Sequence, residues 1–174
     1  MSAARAGIIA CAASAVLVAG CAAMRMDGPR ATAKLEPTKG NVTAGVVSFV
    51  QSGDKVRVIA DVSGLTPGRE HGFHIHEAGD CSSGDGMSAK GHFNPYAKPH
   101  GRGSMERHAG DMPNLKADAN GRASMTVDLD VITVAQGSAS VVGKGLIVHV
   151  QPDDYTSQPV GNAGARIACG TITK

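Results

Sequence analysis

The sequence predicts an all-β domain, a sandwich or barrel of short antiparallel strands, and three observations predict it. The first is alternation of period two. In "KVRVIADV", Val56, Val58, Ala60 and Val62 fall on one face and Lys55, Arg57, Ile59 and Asp61 on the other. In "GRASMTVDLD", Ala123, Met125, Val127 and Leu129 oppose Arg122, Ser124, Thr126 and Asp128, the pattern of a half-buried strand. The second is punctuation: 23 glycines in 174 residues, with turn clusters such as "SGLTPG" and "ADANG" between the apolar runs. The third is that no long amphipathic helix pattern occurs anywhere in the chain. With 42% hydrophobic but only 3% aromatic residues, the core must be built from Val, Ala, Ile and Leu. The length suits one domain, and a net charge of +2 is too small to indicate nucleic acid as a partner.

From the N-terminus, residues 1–20 read as an export signal. Arg5 supplies a positive n-region, and Ala6 to Ala19 form an apolar stretch of h-region length, short of the ~20 residues of a membrane span. "VAGC" closes it, and small residues ending in Cys21 resemble the bacterial lipobox. Cys21 is thus expected to be lipidated and to anchor the mature chain to a membrane of the bacterial cell envelope, facing the periplasm or the outside, with Cys11 removed alongside the signal. Residues 21–37 lack clean periodicity and carry two prolines, so they are expected to be a flexible tether. The folded domain is expected over 38–174. "GVVSFV", "KVRVIADV", "GRASMTVDLD", "GLIVHV" and "RIACGTI" supply its strands. Two stretches break the rhythm, Ala78 to about Asn114 and Pro152 to Ala165. Long irregular segments inside a compact domain are commonly functional, and the first needs something other than a strand ladder to hold it.

Cysteine arithmetic supplies one such tie. Of four cysteines, Cys11 leaves with the signal and Cys21 is acylated. Cys81 and Cys169 remain, and in an exported, oxidising setting they read as one disulfide, worth about 4.5 kcal/mol in the chain-entropy model.

Histidines suggest the other tie. "HGFHIHEAGDC" puts His71, His74 and His76 within six residues. On a strand His74 and His76 share a face, whereas His71 has the opposite parity and reads as a hydrogen-bonded structural histidine. Taken alone, His74 and His76 fit a polar strand face as well as a ligand pair. His149, in the apolar "GLIVHV", taken alone fits a satisfied core residue, although a buried neutral imidazole is also a good metal donor. His92, His100, His108 and Asp111 all fall in the long irregular loop. Together these seven donors exceed what one ion needs, so two metal sites are implied. Met87, Met105 and Met112 are too scattered for a copper-carrier tract and read as gap fillers or exposed loop residues.

"GFHIHEAGDC", "GHFNP", "RHAGD", "IVHVQPDD" and "GNAGARIACG" together resemble the copper/zinc superoxide dismutase family, in order and spacing, from about residue 40 to the C-terminus. The resemblance implies a Greek-key β-sandwich or barrel of about eight antiparallel strands with two long loops. It implies one copper per subunit on His74, His76, His92 and His149, and one zinc on His92, His100, His108 and Asp111, with His92 shared. It makes Cys81–Cys169 the intrasubunit disulfide. Asp153 becomes the carboxylate linking a copper histidine to a zinc histidine, here His74 and His100. Arg166 becomes the arginine that attracts the anion, and with His92, the proton carrier, it completes the catalytic pair.

The donor types suit these metals. Imidazoles without thiolate accommodate copper in both oxidation states, and three histidines with a carboxylate close a zinc tetrahedron. A shared ring with metal–nitrogen bonds of about 2 Å would set the ions roughly 6 Å apart. The implied reaction is 2 O2− + 2 H+ → O2 + H2O2, with superoxide as substrate and protection of the envelope as its use. The resemblance leaves the subunit arrangement open, a homodimer being one arrangement. The chain departs from better-known members in "PDDYTSQPVGNAGAR", where Val160 stands near the family's channel threonine and Pro159 near its lysine. That leaves Lys98, Arg102 and Lys144 as candidates for long-range steering. A metal store without turnover is the rival reading, but it needs neither Arg166 nor a complete bridge. A zinc hydrolase would need an open coordination position that this donor set does not leave.

Overall fold

The computed structural model describes residue 1 and residues 28–103 and 106–174. Nine strands run along the described chain: β1 (Arg30–Pro37), β2 (Ala44–Ser52), β3 (Lys55–Ser63), β4 (Glu70–His71), β5 (Phe73–His76), β6 (Leu115–Lys116), β7 (Ala123–Leu129), β8 (Gly145–His149) and β9 (Arg166–Thr173). Seven of them form one antiparallel sheet in the order β5-β8-β9-β1-β2-β3-β7, and β4 pairs with β6. β3 hands the chain to β4 and β5 on the far side, and β7 returns to pair with β3. This is the Greek-key crossover, and the sheet curls into a half-barrel around one core. The only helix among the described residues is a single 3-10 turn at Met87–Ala89, so none there is long and apolar enough to cross a membrane.

The period-two readings of β3 and β7 hold. Val56, Val58, Ala60 and Val62 are buried, and they oppose Leu129, Val127, Met125 and Ala123 in register. Phe49, Phe73, Leu35, Ile75, Leu146 and Ile172 fill the interior between the sheet's two halves. Each apolar side chain of this size, fully buried, contributes about 1.5–3 kcal/mol.

The tether expected over 21–37 ends early. Residues 30–37 form β1, which pairs with both β2 and β9 and so joins the two halves of the sheet. The cause is alternation: Ala31, Ala33 and Leu35 are buried while Arg30, Thr32, Lys34 and Glu36 are exposed. Two of the inward residues are only alanines, and Pro37 sits at the strand's last position, where it breaks no interior ladder bond. Cys21, Cys11 and the signal segment lie outside the described residues.

The two long irregular stretches are present, between β5 and β6 and between β8 and β9. A third, between β7 and β8, buries Val131, Ile132, Val134 and Val141 against the core. Its apolar content reads like a strand, but only one isolated bridge, Thr133 with Ser140, forms there.

Candidate metal centre

Three pieces of chain converge on β5. The alternation of "FHIH" sends His74 and His76 out of the same face, while Phe73 and Ile75 enter the core. The long loop is stitched to the backbone between them. Ile75 donates its N–H to Gly110 O at 2.9 Å, Phe93 donates to Ile75 O at 2.8 Å, and Gly110 donates to Phe93 O at 2.9 Å. These bonds set Asp111 opposite His74 and His92 opposite His76 as isolated bridges. β8 lies alongside β5 and brings His149. Local pairing, rather than the loop's own propensity, thus places the donors.

Two clusters result. His74, His76, His92 and His149 form one; His92, His100, His108 and Asp111 form the other. All seven residues are buried, and within each cluster the candidate ligand atoms lie within 4.8 Å of one another. Donors at about 2 Å around one ion sit roughly 3.3–4 Å apart, so closure onto an ion needs only small movements. His92 belongs to both clusters, with its ring centroid 4.0 Å from His74 and 5.5 Å from His108.

The outward ring nitrogens already have partners. His74 Nε2 donates to Asp153 Oδ2 at 2.7 Å, and His100 Nε2 donates to Asp153 Oδ1 at 2.9 Å. His76 Nδ1 donates to Lys90 O at 2.8 Å and His149 Nδ1 to Gly164 O at 3.0 Å. Those bonds fix the tautomers of His74, His76 and His149 and leave the other nitrogen of each with a free lone pair. Among the described residues, His74 Nδ1, His76 Nε2, His92 Nε2 and His149 Nε2 are buried with no hydrogen-bond partner, all facing the first cluster, while His100 Nδ1 lies 3.0 Å from Asp111 Oδ1. An unsatisfied buried polar atom costs about 1–3 kcal/mol, and four of them would rival the stability of an ordinary domain. A metal ion in the first cluster removes that cost, and three histidines with a carboxylate suit zinc in the second, so the residues fit copper and zinc.

Asp111 divides its oxygens. Oδ1 lies 2.8 Å from His92 Nδ1, 3.0 Å from His100 Nδ1 and 3.4 Å from His108 Nδ1. Oδ2 accepts the backbone N–H of Gly101 at 3.0 Å and of His108 at 3.2 Å, which pins the loop. Burial would raise the Asp111 carboxyl, but the three histidines beside it hold it far below the ordinary range. Asp153 is held low in the same way by His100 and His74. Burial pulls His92 down to about 4 and His149 to about 3, and it lowers His76 strongly. His100 goes the other way: burial opposes its charge, yet Asp111 and Asp153 lift it to about 9.

Arg166 opens β9, and its guanidinium is held at two points. Nη1 donates to Gly86 O at 2.6 Å and Nη2 to Lys90 O at 2.5 Å. Gly86 has φ +77°, and a Cβ there would come within 3.3 Å of the Arg166 side chain. Cys81 and Cys169 are bonded, with Cα atoms 5.8 Å apart, so the loop carrying Gly86 and Lys90 is tied to the strand carrying Arg166.

His71 is structural, as its parity suggests: Nδ1 donates to His149 O at 2.9 Å and Nε2 accepts the Thr66 N–H at 3.2 Å. Met87 is exposed and Met112 buried in the core, while Met105 lies outside the described residues. The three steering candidates are engaged elsewhere. Lys98 pairs with Glu106 at 2.8 Å, Arg102 lies over the Tyr155 ring at 4.6 Å, and Lys144 lies over Phe93 at 4.7 Å.

Four further residues shape the site without standing out in the sequence. Gln158 accepts the His100 N–H and donates to the His100 carbonyl, both at 2.9 Å. Asn114 brackets the Asp153 backbone with bonds of 2.9 and 3.0 Å, and Tyr155 Oη accepts the Asn114 N–H at 2.8 Å. Gly161 packs flat on the Asp153–His100 bond, where a Cβ would lie 1.8 Å from Asp153 Oδ1. A glycine in "GNAG" is the only one of these signals a sequence could have offered.

Comparison with known proteins agrees with this geometry. Residues 43–172 match the family model described as copper/zinc superoxide dismutase. The copper-zinc superoxide dismutase 2 of Aquifex aeolicus is 43% identical over 148 residues, covering 82% of this chain and 86% of that relative. An extracellular copper-zinc superoxide dismutase of Caenorhabditis elegans is 40% identical over 135 residues, covering 74% of this chain and 60% of that relative. Among solved structures, the clock protein EA4 superposes with a TM-score of 0.76 at 38% identity, covering 84% of this chain and 94% of the other.

Proposed function

The chain belongs to the copper/zinc superoxide dismutase family, and from that premise we propose which residues carry the reaction and where it runs. The activity is disproportionation of superoxide, 2 O2− + 2 H+ → O2 + H2O2, at a copper site joined to zinc through a histidine. His74 Nδ1, His76 Nε2, His149 Nε2 and His92 Nε2 hold copper in this reading. His92 Nδ1, His100 Nδ1, His108 Nδ1 and Asp111 Oδ1 hold zinc. Copper supplies one-electron oxidation and reduction, while zinc keeps one oxidation state and supplies charge and order.

The chain's own groups do the rest. The Arg166 fork, fixed by two carbonyls, receives the superoxide anion with a charge that persists at every working pH. His92 Nε2 would hold either copper or a proton and not both, and in its protonated form it would be the ring placed to give a proton to the reduced oxygen in the peroxide-forming half of the cycle. Asp153 keeps the ring protons of His74 and His100 on their outward nitrogens, so that the inward lone pairs stay available. Burial of all the donor rings excludes water from the donor cluster.

The observation that carries this reading is one ring, His92, belonging to two donor clusters whose other members are buried and already oriented. Metal analysis and a xanthine oxidase–cytochrome c assay on the metal-loaded full chain test it. One copper and one zinc per chain with inhibition of cytochrome c reduction is the expected result. Full loading with no inhibition would make the domain a metal store.

The site of action in this reading is the bacterial cell envelope, with Cys21 lipidated. "VAGC" after an apolar stretch supports it. A disulfide suits an oxidising compartment, and an extracellular relative matches the domain. Mass spectrometry of the mature chain and fractionation of Cys21→Ala test it. A diacylglyceryl mass on Cys21, with release of the variant from membranes, is expected; an unmodified Cys21 overturns it.

A further inference from the structure

Lys90 stands where the backbone suits only glycine. Its φ of 64° and ψ of −149° fall in a region that costs any residue with a Cβ about 1–3 kcal/mol. Two bonds explain the conformation, because the Lys90 carbonyl accepts from both His76 Nδ1 and Arg166 Nη2. They do not explain the lysine, since a glycine would offer the same carbonyl without strain. What lysine adds is an ammonium group beside the arginine that receives the anion.

That ammonium is free to act at a distance. Its side chain is 63% exposed, and its nearest acid is Glu77 Oε1 at 3.8 Å, itself 58% exposed, a loose surface pair of little energy. Of the three basic side chains weighed for steering, Lys98 is committed to Glu106, Arg102 to Tyr155 and Lys144 to Phe93, while Lys39 lines the cleft beside Arg166. Because the Lys90 carbonyl is bonded to Arg166, a four-carbon stem keeps the ammonium within about 10 Å of the guanidinium, one Debye length at 0.1 M salt.

We infer that Lys90 is a guiding charge for superoxide, a rim cation that raises the local concentration of small anions and delivers them to Arg166, with Glu77 setting its strength. This rests on the superoxide reading above, and Lys90 is a positioning residue that touches no reacting atom.

The test uses the metal-loaded full chain and two readouts, the bimolecular rate with superoxide by pulse radiolysis and the affinity for azide followed in the copper absorption band. A unit charge about 10 Å away in water changes the local anion concentration about two-fold. Lys90→Gln is therefore expected to lower both quantities about two-fold near 10 mM salt and to match the parent near 0.5 M, where the Debye length is about 4 Å. Lys90→Arg restores the parent values, and Glu77→Gln moves both readouts the opposite way. Lys90→Gly loses the same rate with an unchanged or higher melting temperature, because it removes the strain. A Lys90→Gln protein equal to the parent at low salt overturns the inference, as does a deficit that persists at 0.5 M. A parent that binds azide but leaves superoxide untouched overturns the enzymatic reading instead, and the azide arm still decides Lys90.

Discussion

Asp153→Asn separates the two metals. Asp153 Oδ1 already accepts two hydrogens, from the Tyr155 N–H at 2.7 Å and from His100 Nε2 at 2.9 Å. Oδ2 accepts only from His74 Nε2, at 2.7 Å. An asparagine must therefore keep its oxygen at the Oδ1 position and put its NH2 where Oδ2 was. That NH2 meets the His74 N–H donor to donor. Relief comes only if His74 moves its proton to Nδ1, the nitrogen aimed at the first cluster. Either outcome spoils His74 as a ligand and spares His100. Losing one charge-assisted bond is worth about 1.5–3 kcal/mol, and outer partners of metal histidines typically matter 10–100-fold in affinity. Copper affinity should therefore fall about 10–100-fold while zinc affinity falls far less. Competitive titration with a copper chelator and, separately, a chromogenic zinc chelator measures both. Zinc lost as readily as copper, or neither weakened, would refute the division of labour between the two oxygens.

Gly161→Ala should lose metal and stability together, because its Cβ would lie 1.8 Å from Asp153 Oδ1 and 2.6 Å from His100 Nε2 at a φ of +66°; parent-like metal content and melting temperature would contradict it. Cys81→Ser removes a link across 88 residues, about 4.5 kcal/mol in the chain-entropy model, and frees the loop that holds Arg166. Activity should then fall even at temperatures where circular dichroism shows the variant folded; full activity there would contradict the coupling. In the metal-free chain, His92 at about 4 and His149 at about 3 lie below their unfolded value near 6.5. The unfolded state binds more protons in that window, so stability should drop as pH falls from about 6.5 toward 4. His100, raised to about 9, contributes stability below about 6.5 that is lost as pH rises through 9. A melting temperature of the metal-free chain that is flat from about pH 6.5 to 4 would contradict this assignment.

Side-chain patterns were the legible part of this molecule. β3 and β7 are written in strict alternation, and six of the seven donor residues announce themselves because histidine is rare and these occur at strand parity or in one loop. β1 escaped because two small alanines and a closing proline make a weak inward face, and its burial depends on β2 and β9, far away in sequence. The connection between β7 and β8 misleads in the opposite sense, as its apolar residues pack on the core without making a ladder. What holds the site is largely backbone: the carbonyls of Lys90, Gly164 and Gly86, and the Ile75–Gly110–Phe93 stitch. Any residue supplies those groups, so no residue type marks them. Gln158 and Asn114 are equally silent, because a polar loop residue that clamps a neighbouring backbone reads the same as one that faces water.

The claim on which most depends is that one ring joins the two metals. Copper electron paramagnetic resonance on the loaded chain, with Co(II) in place of zinc, tests it directly. If His92 bridges ions about 6 Å apart, cobalt binding should broaden or abolish the copper signal, and His92→Ala should restore it. A sharp copper signal in the parent chain carrying cobalt would show two sites that share no ligand.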